Sequence, residues 1–156
     1  MPGINIRLAQ IGDIVAISRL YDDFYKYNNM QQPYFSAEVK ENGDYPKSVI
    51  EGTNGDIFVS EINGEIVGFI HVEEGKTPPY PSVVQHKFAC ITDFYVMPDY
   101  RKKGIGKLLL GKAKEWSINR ELEYMELLVL EENEIGKSFY EKEQFRNFSH
   151  TMRYIF

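Results

Sequence analysis

The sequence predicts an α/β fold of the mixed, α+β kind: a mostly antiparallel central sheet with helices on both faces. Three observations predict it. Helix-like periods are interleaved with strand-like runs along the whole chain. Asn63-Gly64 stands between two strand-like runs in the middle, the strongest short hairpin signal, so that part of the sheet is antiparallel. The 156 residues are one domain's worth of chain, enough for a real core, so residues 1–156 are expected to form a single domain.

The elements follow in order. "INIRLA", Ile4 to Ala9, alternates apolar and polar residues as a half-buried strand does. Asp13 is placed as a helix N-cap. Behind it Ile14, Ile17, Leu20, Tyr21, Phe24 and Tyr25 recur at helical spacing, so a helix is expected to about Tyr27. "NNMQQPYFS", Asn28 to Ser36, is a polar loop around a proline, carrying Tyr34 and Phe35 as aromatics that could line a pocket. A second helical piece is expected between Ser36 and Ile50, broken near "NGDYP".

"DIFVSEI" and "EIVGFIHVEE" are the hairpin strands, and "GKTPPYPS" is a proline-rich loop too short to link domains. "KFACITDFYV" is a third long strand. In "GIGKLLLGKAKEWSI" Ile105, Leu108, Leu109, Ala113 and Trp116 fall on one helical face. "EYMELLVL", Glu123 to Leu130, is a strand, "NEIGKSFYEKEQF" a short helix, and "SHTMRYIF" a closing strand. The predicted order is therefore β-α-α-β-β-β-α-β-α-β. The sequence shows neither an internal repeat nor a low-complexity segment.

Composition narrows the function classes. The chain is 43% hydrophobic and 26% charged, ordinary for a soluble globular protein. A net charge of -5 argues against a general nucleic-acid binder. Cys90 is the one cysteine, so a disulfide framework or a cysteine zinc site within one chain is ruled out. No metal site is expected. The opening residues lack a basic start followed by a long apolar core, and no apolar run approaches the roughly 18 residues of a membrane span. A cytoplasmic protein without membrane partners is the default expectation.

One segment stands against the acidic background. In "DFYVMPDYRKKGIGKLLL" a strand ends at Pro98, and Arg101, Lys102, Lys103 and Lys107 then surround Gly104 and Gly106 before a helix. Unpaired amides at a helix start, with the helix dipole, favour an anion, and glycines let the backbone approach it closely. A phosphate-bearing ligand follows. The segment lacks the lysine-serine/threonine ending of a P-loop, and Leu109 stands where a Rossmann turn needs its third glycine. By itself a G-x-G with basic neighbours is a weak signal that also describes a solvated basic helix start.

Arg101-Lys102-Lys103-Gly104-Ile105-Gly106, following Val96-Met97-Pro98, resembles the acetyl-CoA signature Arg/Gln-x-x-Gly-x-Gly/Ala of the GNAT family of N-acetyltransferases. "NEIGKSFYEKEQF" resembles the family's second signature, and the element order is similar from end to end. The resemblance implies an acetyl-CoA-dependent N-acetyltransferase. It implies that the backbone of Arg101 through Gly106 holds the CoA pyrophosphate, and that Phe94, Tyr95 and Val96 at a splayed strand end pair with the pantetheine arm. A backbone N–H there would polarise the thioester carbonyl.

Asn133 matches the family asparagine that reaches the pantetheine. Tyr140 matches the tyrosine that protonates the departing thiolate. The two are seven residues apart, on one helical face, with Gly136 between them where a large side chain would block a ligand. Phe139 pairs with Ile135 and reads as core. A tyrosine titrates near about 10 and a thiol near about 8.5, so the tyrosine is protonated at neutral pH and able to donate.

The base is less legible. The family's usual places for it align with Cys90 and Thr92, neither of which is a plausible base. Asp93 is ionisable, but simple alternation points it to the other face, which only the strand's splay could alter. His71, Glu73, Glu74 and His86 are alternatives that read as surface or strand-edge residues, and a water chain to bulk would serve as well. "DFYVMPDYR" is also similar to the spermidine/spermine acetyltransferases, which carry an acidic residue where Thr92 stands; that departure leaves polyamine specificity open. Gln144 stands where the family usually has glycine.

The acceptor implied is a small primary amine attacked directly in a ternary complex. Asp93, Tyr34 and Phe35 are its candidate contacts, and residues 28–36 and 75–87 would flank it. A protein lysine or N-terminal acetyltransferase and a non-catalytic acyl-CoA-binding module are the alternatives. The family often dimerises through its last strands, and "HTMRYIF" is apolar enough to allow a homodimer.

Overall fold

The structure, a computed structural model, describes residues 3–156. Strand β1 (Asn5–Leu8) leads through a short 3-10 turn into helix α1 (Ile14–Gln31), and helix α2 (Asp44–Glu51) follows. Strands β2 (Gly55–Ile62), β3 (Glu65–Lys76) and β4 (Lys87–Val96) come next, then helix α3 (Ile105–Asn119), strand β5 (Met125–Leu127) and helix α4 (Glu134–Lys142). The sheet order is β1-β2-β3-β4-β5. β1 through β4 are antiparallel, and β5 joins β4 in parallel. The mixed, mostly antiparallel sheet is as expected.

Each face of the sheet is covered. Ile17, Leu20 and Tyr21 of α1 bury against Ile57, Val59, Phe69 and Tyr95 on one side. Ile105, Leu109, Leu110, Ala113 and Trp116 of α3 bury against Val67, Ile70, Val72, Ala89, Ile91 and Val96 on the other. Burying a large apolar side chain stabilises by roughly 1.5–3 kcal/mol, so these two layers fix the sheet between the helices. The expected α3 face needs one correction. Leu110 is buried and Leu108 is 46% exposed, because the buried stripe runs 105, 109, 110, 113, 116.

The β2–β3 hairpin turns on Asn63 and Gly64, both with positive φ (52° and 81°), the two-residue turn that matches strand twist. Other boundaries moved. α1 continues past Tyr27 to Gln31. Asp13 does not cap it through its side chain. Its carboxylate turns back to the Gln10 amide (2.8 Å) and to Arg7 (2.7 Å). "NGDYP" starts α2 rather than breaking a helix, since Gly43 at φ 96° redirects the chain and Pro46 lies in the first turn, where its missing N–H costs nothing.

β5 is only three residues long, and residues 145–156 form neither strand nor helix. The expected closing strand "SHTMRYIF" is thus absent, with Phe148, Met152, Tyr154 and Phe156 exposed. β5 pairs with β4 only from Met125 to Leu127, which leaves little ladder beside it to extend. Among the described residues no helix is long and apolar enough to cross a membrane.

Candidate active site

The site is organised by an irregularity in β4. Ala89 and Ile91 face the α3 layer, and so do Phe94 and Val96. Strict alternation would have kept odd residues on that face throughout. The β3–β4 register slips at this point: Val72 pairs with Ile91 and His71 with Asp93, so Thr92 is left over as a bulge. One extra residue turns Asp93 to the α1 face, along with Tyr95. The expectation that Asp93 and Cys90 point to opposite faces is thereby corrected.

Asp93 enters a cluster built from four elements. Its Oδ2 accepts hydrogen bonds from Tyr21 of α1 at 2.8 Å and from Tyr45 of α2 at 3.2 Å. His71 Nδ1 of β3 lies 3.3 Å from the same oxygen and 3.1 Å from the Tyr45 hydroxyl. His71 is fully buried, not a strand-edge residue, because it stands at mid-strand under α2. Burial and the Asp93 charge hold the Tyr21 and Tyr45 hydroxyls far above the ordinary tyrosine range. Both therefore stay protonated and donate to Asp93, which is the acceptor at the centre. Tyr25 adds a ring against Tyr21 (centroids 5.5 Å apart) and donates to Glu41 at 3.4 Å.

The remaining candidates separate. Glu73 Oε2 sits 3.4 Å from His71 Nε2, so it borders the cluster. Glu74 pairs with Arg120 at 3.0 Å and His86 with Glu123, both away from Asp93. Thr92 is exposed and Cys90 half-buried. Burial pushes the Cys90 thiol up, so it is protonated and a poor nucleophile at neutral pH. Tyr34 is 81% exposed, and Phe35 lies under the Arg153 guanidinium at 4.6 Å; no hydrogen bond or ring contact joins them to Asp93 among the described residues.

Beyond the bulge, β4 loses one neighbour. Pairing with β5 stops at Ile91–Leu127, while pairing with β3 continues to Val96. The backbone from Thr92 to Val96 thus has a free edge where β5 diverges. Phe94 faces α4, Tyr95 packs under α1, and Val96 is buried toward α3. The glycine turn follows directly. Lys102 (φ 60°) and Gly104 (φ 84°) bend the chain into α3, whose first-turn amides have no intrahelical acceptor. Ile105 is anchored in the core.

Arg101 does not point outward. Its Nε donates to the Val96 carbonyl at 2.7 Å, and its guanidinium lies over the Tyr95 and Tyr27 rings at 5.3 and 5.6 Å. It is a brace between strand end and turn. Lys102, Lys103 and Lys107 carry the positive field, and among the described residues no carboxylate pairs with them.

α4 borders the same strand end. Phe139 packs edge-on against Phe94 (5.8 Å) and Tyr140 lies 6.3 Å from that ring. Phe139 therefore belongs with Phe94 and not with Ile135, which is 64% exposed. Burial pushes the Tyr140 hydroxyl up to about 12. That hydroxyl has no hydrogen-bond partner among the described residues. Asn133 caps α4 by accepting from the Gly136 amide at 2.9 Å, and Tyr27 donates to it at 3.4 Å. A Cβ at Gly136 would lie 2.5 Å from Asn133 Nδ2, so the asparagine cap itself requires the glycine.

Comparison with known proteins decides the family. A family model described as the Acetyltransferase (GNAT) family matches residues 14–145. This chain belongs to the GNAT family. Among GNAT relatives, the N-acetyltransferase YhfO of Bacillus subtilis (strain 168) is 27% identical over 139 residues, covering 89% of this chain and 87% of YhfO. A solved tetramutant of the BH1408 protein from Bacillus halodurans superposes with a TM-score of 0.91 at 22% identity, covering 97% and 99% of the two chains. The aminoglycoside N-acetyltransferase AAC(6')-Iy, solved with CoA, gives 0.77 at 14% identity, covering 99% of this chain and 95% of that one. These two likenesses are of fold. GNAT membership makes this protein an N-acetyltransferase, of a family that uses acetyl-CoA.

The residues present fit that co-substrate. A Cβ at Gly104 would meet nothing within 4 Å, and one at Gly106 only the Phe139 and Phe94 rings at 3.4 and 3.7 Å. Neither glycine is crowded out by the protein itself. Gly104 leaves open backbone and Gly106 leaves space bounded by two rings, under the positive field of Lys102, Lys103 and Lys107, as a phosphate-bearing ligand needs.

Proposed function

We propose that this GNAT enzyme acetylates a primary amine of a small molecule by direct attack in a ternary complex with acetyl-CoA. The observation that carries the reading is the bulge at Thr92. It puts a carboxylate with two tyrosine donors beside the free edge of β4, a place that the sequence left without a base. Acetyl-CoA supplies an activated acetyl group as its thioester. The amides of Lys102 through Gly106, with the Lys102 and Lys103 side chains, hold its pyrophosphate, the Arg101 amide being taken by the Pro98 carbonyl at 3.2 Å; Phe94, Tyr95 and Val96 offer the strand edge to its arm, and Asn133 borders that arm.

Acid and base then arrive from opposite faces of one strand. Tyr140, on the Phe94 side, gives its proton to the departing sulfur. Its environment keeps it protonated, and a thiolate near about 8.5 is a weaker base than a tyrosinate, so the donation matters most in the transition state. Asp93, on the α1 side, takes the proton of the incoming ammonium. An alkylamine resembles lysine, with a pKa near about 10.4, and must lose that proton before it can attack.

Direct attack is supported by the Cys90 thiol, which burial keeps protonated. A small acceptor is supported by the aromatic and acidic character of the Asp93 cluster. It is supported also by the likeness to AAC(6')-Iy, whose named substrates are aminoglycosides. Thiol release from acetyl-CoA, measured across polyamines, amino acid derivatives and aminoglycosides, tests the reading. Intersecting initial-velocity patterns with one of these amines support it, while parallel patterns or no acetylated product from any of them contradict it.

A further inference from the structure

We propose that His71 is a proton relay, carrying the proton taken up at Asp93 through the sheet face to Glu73 and so to solvent. The proposal rests on the reading of Asp93 as the group that deprotonates the amine. His71 does not reach the acceptor itself and acts through Asp93.

The geometry sets His71 between two carboxylates. Nδ1 lies 3.3 Å from Asp93 Oδ2, and Nε2 lies 3.4 Å from Glu73 Oε2. The imidazole is fully buried, whereas the Glu73 side chain is 40% exposed and Asp93 only 13%. The line Asp93–His71–Glu73 thus runs from a shielded carboxylate to one in contact with water. Both ends lie on the same sheet face, since His71 and Glu73 are two residues apart on β3 and the bulge turns Asp93 to meet them.

His71 Nε2 is also a buried nitrogen without a well-formed hydrogen bond. A buried polar atom left this way is costly unless it is used. In a neutral ring one nitrogen donates and the other accepts, so two flanking carboxylates cannot both be satisfied at once. With the proton on Nδ1, Asp93 has its donor and Nε2 faces Glu73 with a lone pair. With the proton on Nε2, Glu73 has its donor and Nδ1 accepts from Tyr45. Transfer interconverts these two arrangements.

The step balances without a redox partner. The ammonium N–H bond breaks as an O–H bond forms on Asp93. That proton then passes to Nδ1 while the Nε2 proton passes to Glu73, which loses it to water. After the product leaves, the Nδ1 proton returns through Asp93 to water in the vacated acceptor site while Glu73 passes a proton from solvent back to Nε2, so that over the cycle the net change is one proton moved from amine to bulk. The titratable groups facing the ring are Tyr45 of α2, Glu73 of β3 and Asp93 of β4, with Tyr21 of α1 bonded to Asp93.

Two measurements test the relay. In the free enzyme, nitrogen-15 NMR of the His71 imidazole reads the proton on each ring nitrogen. Asp93→Asn is expected to shift the proton toward Nε2 and Glu73→Gln to shift it toward Nδ1; proton populations that neither change moves would overturn the proposal. The second compares ethylamine with 2,2,2-trifluoroethylamine, a similar amine that is largely unprotonated at neutral pH, using thiol release from acetyl-CoA. His71→Gln is expected to slow the ethylamine reaction by about tenfold or more and to leave the fluorinated amine within about twofold, as loss of proton transfer alone would do. Equal losses with both amines mean a packing role and sink the relay. Failure of wild-type enzyme to turn over either amine, or any amine of the wider panel, strikes the acetyltransfer reading, and the NMR arm still decides the relay.

Discussion

The Tyr21 hydroxyl on α1 donates to Asp93 on β4 at 2.8 Å, tying the first helix to the middle of the sheet across 72 positions of sequence. Tyr21 is fully buried, so the bond is shielded from water. A hydrogen bond to a charged group contributes roughly 1.5–3 kcal/mol. Tyr21→Phe keeps the ring packing on Phe69 and removes only that bond. It should destabilise the fold by about 1.5–3 kcal/mol in urea denaturation. Turnover should fall more than CoA affinity, because the lost group orients Asp93 and stands on the opposite face from the glycine turn. A larger fall in CoA affinity than in turnover contradicts this assignment.

Tyr140→Phe separates binding from chemistry on the other face. The ring and its contacts with Phe94 and Phe145 stay, and only the donor goes. CoA binding by calorimetry should change less than about twofold while turnover falls by about 10² or more, the usual range for a proton donor. The pH profile carries a second expectation. In the proposed role of proton donor Tyr140 works protonated, and burial raises it to about 12, so that activity should be present below that value and lost only as pH climbs through it. A descending limb near pH 9–10 in wild type that disappears in Tyr140→Phe would contradict the raised value.

Asp13 gives a stability prediction with a defined pH window. Its carboxylate accepts from Arg7 Nη1 and Nη2 at 2.7 and 3.0 Å, and those bonds hold its pKa below the ordinary carboxylate value. A depressed folded pKa means stability that is present above the unfolded value, near about 3.9, and lost as pH falls through the folded one. The Asp13 side chain is 13% exposed and Arg7 28%, so screening is partial. Asp13→Asn should therefore cost about 1 kcal/mol at pH 7, and the difference from wild type should shrink below about pH 4. A gap that is constant from pH 7 to pH 3 would show that the charge plays no part.

How much of this could be read beforehand depends on which residues speak locally. Asn63-Gly64 specified its hairpin because the turn's positive φ values are a property of those two residues alone. While their roles toward a ligand are proposals, the glycine turn before α3 and the place of Tyr140 on α4 beside Phe94 were legible as geometry because fixed spacings carry them. Asp93 was not, since its face depends on a one-residue slip against β3, and nothing in "KFACITDFYV" marks Thr92 as the extra residue. His71 was misjudged for a related reason. In "EIVGFIHVEE" it interrupts an apolar run, and that pattern was the available sign of a buried polar group, but its partners come from α2 and β4. Tyr21 and Tyr45 were readable as apolar-face residues, while their hydroxyls acquire a purpose only once the bulge delivers a carboxylate to them.

Gly106→Ala distinguishes a glycine kept for the fold from one kept for a ligand. Gly106 lies in the first turn of α3 with helical backbone, so alanine there is favoured by up to about 1 kcal/mol on propensity. The new methyl would touch the Phe139 ring at 3.4 Å, the near edge of ordinary contact, and no backbone atom. The fold therefore has no reason to reject it, and thermal denaturation should show a Tm equal to or above that of wild type. A ligand held by the amides of this turn does have a reason, because the methyl adds bulk at a turn whose backbone its phosphates must approach closely. CoA affinity should weaken by about tenfold or more, which is about 1.4 kcal/mol of lost binding. Gly104→Ala reverses the pattern. Its φ of 84° strains any Cβ, so stability should fall by about 1 kcal/mol even though nothing lies within 4 Å of the methyl. If Gly106→Ala instead lowers Tm and leaves CoA affinity intact, the turn serves the fold and the pyrophosphate lies elsewhere.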